Sequence, residues 1–172
     1  MTDDYLDQFR RFHEQKTSFN GTSCLRLWRQ IVGTSRRLGC RSALDFGCAK
    51  GSQYERKIYE QGRPHTLEEL LGYEVFKYDP AIPRFAKPPT GTFDLVWCVD
   101  VLNCMPIWNV RPTVDALYGF ATRALIVGIN SIECQKQLPD GTPAVHSFKP
   151  DEWWRRLFNR PAGGREVLLV LD

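Results

Sequence analysis

The stretch Ser42-Ala-Leu-Asp-Phe-Gly-Cys-Ala-Lys-Gly-Ser-Gln-Tyr54 limits what this chain can become more than any other. A short apolar run, Ala43 to Phe46, carries one acid, Asp45, and runs straight into Gly47-Cys48-Ala49-Lys50-Gly51. That is the pattern of a strand, a tight turn and the start of a helix. Glycine permits positive φ and a close backbone approach. A helix start offers unpaired N–H groups and a positive dipole end to an anion. In an open α/β sheet, the crevice at such a turn is where nucleotide-like ligands bind.

With 172 residues, 42% hydrophobic and 25% charged, the chain fits one soluble domain with a substantial core. Its expected parts are a helical segment over 1–40, a ligand-binding core over 41–131, and a loop, helix and closing strand over 132–172. The net charge of +3 comes from scattered pairs such as Arg36-Arg37, not from a stripe, so nucleic acid is not an expected partner. Six cysteines stand at 24, 40, 48, 98, 104 and 134 with no Cys-x-x-Cys or Cys/His ligand spacing, which argues against a metal site. Several lie in apolar runs, as suits reduced thiols in a cytoplasmic protein. No export signal and no apolar run near the ~18 residues of a membrane span is present, so no membrane is expected.

Along the chain, Tyr5, Phe9, Phe12 and Lys16 recur at helical spacing. This aromatic stripe either packs onto the domain or forms a lid over a ligand. A second helix presents Leu25, Trp28, Ile31, Val32, Ser35 and Leu38 on one side, with Thr22 or Ser23 to cap it and Gly39 to end it. After the strand over 41–46 and its glycine turn, a crossover helix is expected over 51–61, broken by Gly62-Arg63-Pro64-His65. Thr66 starts a short helical turn that Gly72 stops.

The strand over 73–78 ends on Asp79, whose two acceptor oxygens suit a ribose diol. Four prolines make 80–91 a stiff loop. Phe93 to Cys98 reads as a strand covered on both faces, and Asp100 to Pro106 follows on the same rim as the glycine turn. The short interval between Asp79 and Asp94 leaves no room for a further strand–helix unit of roughly 30 residues. A helix over 113–122, a strand over 124–129 leading to Asn130-Ser131, a polar loop over 132–150, a helix over 150–158 and a strand over 166–171 complete the chain. A sheet shortened at both ends leaves edges to cover, which argues for a homodimer.

A glycine turn with an acid before it, an acid after the second strand and an acid-bearing loop after a Phe-Asp-Leu-Val strand converge on one rim. In that combination the chain resembles the class I S-adenosylmethionine-dependent methyltransferases. Leu44 to Gly51 looks like their first motif, with Ala49 where a glycine is usual. Asp79 matches their ribose-binding acid. Phe93 to Pro106 looks like their fourth motif, with Asn103-Cys104 in place of a Glu-His pair. The chain is further similar to a compact subgroup frequent in phage and bacterial genomes. Tyr78-Asp79-Pro80-Ala81, Leu138-Pro139-Asp140-Gly141, His146 and Trp153-Trp154 carry that likeness, and coverage runs over 42–154.

The resemblance implies an α/β, three-layer Rossmann-like sandwich on a mostly parallel sheet of five or six strands, shortened from the usual seven. It implies S-adenosyl-L-methionine as cofactor and methyl transfer to a small-molecule or nucleotide-like acceptor. Gly47, Cys48, Ala49 and Gly51 would approach the methionine part with their backbone, and Asp45 would order that turn. Asp79 would bind both ribose hydroxyls, and Asp100 would sit near the sulfonium and the ammonium. His146 is the candidate base, ahead of His65 and His13, with a hydrogen-bonded structural histidine as the competing role. Trp153 and Trp154 diverge by about 100° on a helix, one toward the core and one toward the acceptor pocket.

Two other classes stay open. A non-catalytic S-adenosylmethionine-binding or assembly protein is compatible with Ala49 and Asn103-Cys104. A nicotinamide-dependent oxidoreductase fits the turn poorly, because Ser52 stands where a third glycine is usual. A DNA methyltransferase is disfavoured, since Lys87-Pro88-Pro89-Thr90 is not the Asn/Asp-Pro-Pro-aromatic signature.

Overall fold

The computed structural model describes residues 3–14, 19–130 and 136–172. In chain order the elements are α1 (Asp3–Glu14), α2 (Trp28–Leu38), β1 (Ala43–Phe46), β2 (Ile58–Glu60), β3 (Arg63–His65), α3 (Leu67–Leu71), β4 (Val75–Tyr78), β5 (Phe93–Val99), α4 (Ile107–Phe120), β6 (Ala121–Ile129), α5 (Asp151–Phe158) and β7 (Glu166–Leu171). A turn of 3-10 helix over Ser23–Leu27 leads into α2.

Five strands form one sheet in the order β4-β1-β5-β6-β7, and every neighbouring pair is parallel. From β1 the chain goes outward to β4, then crosses back to place β5 on the other side of β1. The carboxyl ends of β1 and β5 therefore meet at the point where the sheet changes its direction of growth, which is where open α/β sheets leave a crevice.

Strand alternation divides the core into two layers. Leu95, Trp97 and Val99 of β5 join Ile31 and Val32 of α2 and Leu67 and Leu70 of α3. Val96 and Cys98 of the same strand join Val110, Val114 and Leu117 of α4 and Trp154 and Phe158 of α5. With helices on both faces, β5 has no solvent side, and its continuous apolar run follows from that. The result is the three-layer α/β Rossmann-like sandwich that the sequence implied. Among the described residues no helix is long and apolar enough to cross a membrane.

Local signals fix several boundaries. Gly39 ends α2 in the left-handed region, and its N–H is donated back to the carbonyls of Arg36 and Ser35. Thr66 and Glu69 form a reciprocal capping box at the start of α3, and Gly72 closes it.

The expected crossover helix over 51–61 does not form. The chain makes one 3-10 turn, Ser52–Tyr54, and then the antiparallel hairpin β2–β3. Glu60 pairs with Arg63, so Gln61 and Gly62 are the whole loop, and their φ values of 51° and 77° are both positive. That is the condition of the two-residue turn whose twist matches a hairpin. Helix α4 also starts earlier than Thr113, at Ile107, and runs through Pro112. Proline usually opens a helix, so the first turn before it was not visible in the sequence. Of the expected caps, Thr22 precedes the 3-10 turn but makes no side-chain capping bond. Ser131 and Cys134 lie outside the described residues.

Because Gln61 occupies a left-handed position for which asparagine is better suited, Gln61→Asn should raise the unfolding free energy by a few tenths to ~1 kcal/mol in a denaturant titration, and Gln61→Val should lower it.

Candidate functional site

A cavity of about 650 Å³ opens at the carboxyl ends of β1, β4 and β5. Its size falls within the ~300–1,000 Å³ typical of cofactor and small-molecule sites. Asp45, Asp79 and Asp100 all line it. So do Gly47, Cys48 and Ala49, while Gly51 does not. The Gly51 Cα instead faces the Phe85 ring, where a Cβ would lie 3.0 Å from Cε2.

The turn after β1 is stitched to the end of β4. Gly47 and Cys48 both donate their N–H to the carbonyl of Tyr78, at 2.7 and 3.1 Å. Ala49 donates to Asp79 Oδ2 at 2.9 Å, and Ala81 donates to Asp79 Oδ1 at 2.9 Å. Gly51 donates to Cys48, Ser52 to Asn20 and Gln53 to Gly21. The expectation of a helix start with N–H groups turned toward an anion is thus corrected. No helix follows the turn, and these donors are used within the protein.

The turn needs glycine at position 47. Its φ is 86°, and a Cβ there would fall 2.2 Å from Val101 Cγ2, so the β1 turn and the residue after Asp100 touch directly. Ala49 and Asp100 are not glycines, yet their φ values are 48° and 58°. Strained residues of this kind persist where the surroundings hold them, and they concentrate at ligand sites.

Asp45 is fully buried on the α2 face. Its Oδ2 accepts from Gln53 Nε2 at 2.8 Å and from the Tyr54 hydroxyl at 2.7 Å. Burial pushes its pKa up to about 6, opposed by those two hydrogen bonds. Asp45 thus holds Gln53 and Tyr54, two side chains beyond the turn that carried no signal of that role in the sequence. Asp79 is also raised, by burial, with the N–H groups of Ala81 and Ala49 pulling the other way. Asp100 accepts from Arg26 Nη2 at 2.8 Å, and the other guanidinium arm of Arg26 donates to Asp172. Arg26 precedes Asp100 by 74 residues, and no local pattern pairs them.

The roof is α1. Tyr5, Leu6, Phe9 and His13 face the cavity, while Phe9 and Phe12 pack on Ala81, Cys104, Leu138 and Ala144. The stripe thus both packs and covers. The Tyr5 hydroxyl donates to the Cys104 carbonyl. Burial, followed by the Lys50 charge, lowers the His13 pKa to about 4, so its imidazole is neutral near pH 7. Buried polar atoms on three lining residues, His13 Nδ1, Gln53 Oε1 and Asn103 Oδ1, find no hydrogen-bond partner among the described residues.

His146 stands apart from the cavity lining. It is exposed, and its ring lies edge-on to Tyr5 at 5.2 Å. His65 is in β3, also away from the lining. Trp154 is buried in the α5 layer and Trp153 packs against the same cluster, so neither walls the cavity. The Leu138-Pro139-Asp140-Gly141 segment is a turn. Asp140 Oδ1 accepts from the Thr142 N–H and hydroxyl, and Leu138 sits under α1. Sequence reasoning missed the α4 wall, where Asn109, Pro112, Thr113 and Ala116 share one helix face.

No family model matches this chain, and neither curated proteins nor solved structures show a match to it. No cluster of metal-ligating side chains occurs among the described residues.

Two outcomes test the site's energetics. Between the unfolded carboxyl pKa and about 6, the unfolded chain has lost the Asp45 proton that the folded chain keeps. Stability relative to Asp45→Asn should therefore fall as pH rises through that window, by on the order of 3 kcal/mol between pH 4 and 7. A flat difference in parallel denaturant titrations would reject the buried acid. Ala49→Gly should stabilise by up to about 1 kcal/mol, since ~1–2 kcal/mol of left-handed strain outweighs the added chain entropy of glycine.

Proposed function

We propose that this chain binds S-adenosyl-L-methionine at the switch-point cavity and directs its methyl group to a small-molecule or nucleotide-like acceptor. The observation that carries this reading is the meeting of Asp45, Asp79 and Asp100 in the lining of one cavity. Lys136 and the neutral His13 are the basic side chains among the residues lining that cavity. A wall with that balance favours a ligand bearing positive charge.

Asp79 fits a ribose diol. Each of its oxygens accepts one backbone N–H and keeps a second lone pair for a hydroxyl. Asp100, at the lip beside the β1 turn, would face the cationic centre. The cofactor would supply an electrophilic methyl on a sulfonium. The protein's part is alignment of nucleophile, methyl and sulfur, which can account for much of a displacement barrier. His146 is given no base role, because it lies outside the cavity lining. His13 lies within it, and its lowered pKa suits hydrogen bonding better than proton uptake.

The nicotinamide reading loses its main support. A dinucleotide pyrophosphate wants a helix N-terminus after the glycine turn. Here a single 3-10 turn follows, and its N–H groups are already engaged. A binding role without turnover shares the same cavity and differs only in whether an acceptor reacts.

Isothermal titration calorimetry with S-adenosylhomocysteine and with NADH tests the reading. We expect saturable binding of the first only, weakened roughly 100-fold or more in Asp79→Ala, as for loss of two hydrogen bonds to a charged group. Binding of NADH instead, or equal affinity in a folded Asp79→Ala, would reject it. Methyl release from labelled cofactor across an acceptor panel separates the transferase from the binder.

A further inference from the structure

Asp100 is not a lone carboxylate at the cavity lip. The Arg26 guanidinium reaches it at 2.8 Å with one arm and Asp172 with the other. Arg26 comes from the 3-10 turn before α2, Asp100 from the end of β5, and Asp172 from the residue after β7. The backbone is shaped to admit this arrangement. Asp100 holds φ at 58° and donates its N–H to the Gly128 carbonyl at 2.9 Å. At Gly128 a Cβ would fall 2.8 Å from Arg26 Nη2, so the missing side chain leaves the guanidinium its place. The Asp172 N–H in turn donates to the Ile129 carbonyl, next along β6.

Counting these three side chains, one guanidinium shared between two carboxylates leaves a net charge of −1. A simple Arg26–Asp100 pair would leave zero. The lip faces the cavity through Asp100 alone, since neither Arg26 nor Asp172 is among the lining residues. Arg26 and Asp172 are about a quarter and a half exposed, so solvent weakens the charges without cancelling them.

We infer that Asp172 is a positioning residue for ligand charge selection: by drawing part of Arg26 away from Asp100, it keeps the cavity lip anionic and favours a cationic ligand centre over a neutral one. This rests on the S-adenosylmethionine reading above. Asp172 touches no ligand and acts through Arg26.

The test uses two ligands that differ at one position. S-adenosylhomocysteine has a neutral thioether where the cofactor has its sulfonium. Sinefungin has an ammonium-bearing carbon there. Their affinity ratio, measured by calorimetry at low ionic strength, reads the charge preference and cancels contacts common to both. Asp172→Asn should lower the sinefungin preference by roughly threefold or more, the scale of one charge acting across about 10 Å at intermediate dielectric. Any change felt at the methionine ammonium is common to both ligands and leaves the ratio alone. Arg26→Gln leaves two uncompensated carboxylates and should raise the preference. Added salt should shrink both changes.

A merely structural clasp would shift both variants the same way, or leave the ratio alone while lowering the melting temperature. Either result overturns the inference. Failure of both ligands to bind the unaltered protein overturns the cofactor reading first. Binding of both with an unchanged ratio in Asp172→Asn overturns this inference alone.

Discussion

The end of β4 holds the turn that follows β1. Tyr78 accepts two N–H groups from that turn with its carbonyl, and Asp79 accepts a third with its carboxylate. Each of these donors left unmet in a buried site would cost roughly 1–3 kcal/mol. In a fold with a crossover helix after β1, the helix start and its ligand share that demand. Here the helix is replaced by one 3-10 turn and a hairpin, so the neighbouring strand end meets it. Asp79 is consequently both a brace for the turn and a wall of the cavity. The same brace holds Ala49 at φ 48°, where an unaided alanine would not rest.

Much of the sandwich was legible because its signals are local. Apolar runs bounded by turns marked β1, β4, β5, β6 and β7, and Thr66 with Gly72 marked α3 within a residue or two. The convergence of Asp45, Asp79 and Asp100 was also legible, for a geometric reason. In a parallel sheet every carboxyl end lies on one rim, so acids at strand ends must gather there. The hairpin was not legible. Lys57-Ile58-Tyr59-Glu60 fits helical spacing as well as strand spacing over so short a window, and glutamine at a left-handed position gives no cue. The surroundings of the acids were illegible too. Gln53 and Tyr54 reach Asp45 from the 3-10 turn that stands in place of the expected helix, and Arg26 reaches Asp100 across 74 residues of chain.

The sandwich supplies the floor of the cavity, and α1 supplies its roof. This helix packs on loop residues, Ala81, Cys104, Leu138 and Ala144, not on either helical layer. Its cavity face is aromatic and uncharged near neutral pH, because burial drives the Tyr5 hydroxyl's pKa up and the His13 imidazole's down. The floor is acidic and the roof is not. A ligand lying between them meets charge on one side and rings on the other. That polarity follows from the chain's organisation, since strand ends carry the acids and the amphipathic helix carries the aromatics.

Burying carboxylates is expensive, and this fold does it twice on one wall. Burial raises both Asp45 and Asp79, and the charge of Asp79 adds to the rise at Asp45. The core layers themselves close with apolar side chains, so neither acid serves their packing. Asp45 holds Gln53 and Tyr54, a task that a neutral acceptor could share. Asp79 accepts the N–H groups of Ala49 and Ala81, beside the two that the Tyr78 carbonyl accepts. What a carboxylate adds at both positions, and a neutral group does not, is negative charge toward the cavity. A cationic occupant would recover part of the desolvation cost by stabilising that charge in a medium of low dielectric. On the proposed reading, the buried acids and a bound cation would form one electrostatic unit, each lowering what the other costs to desolvate.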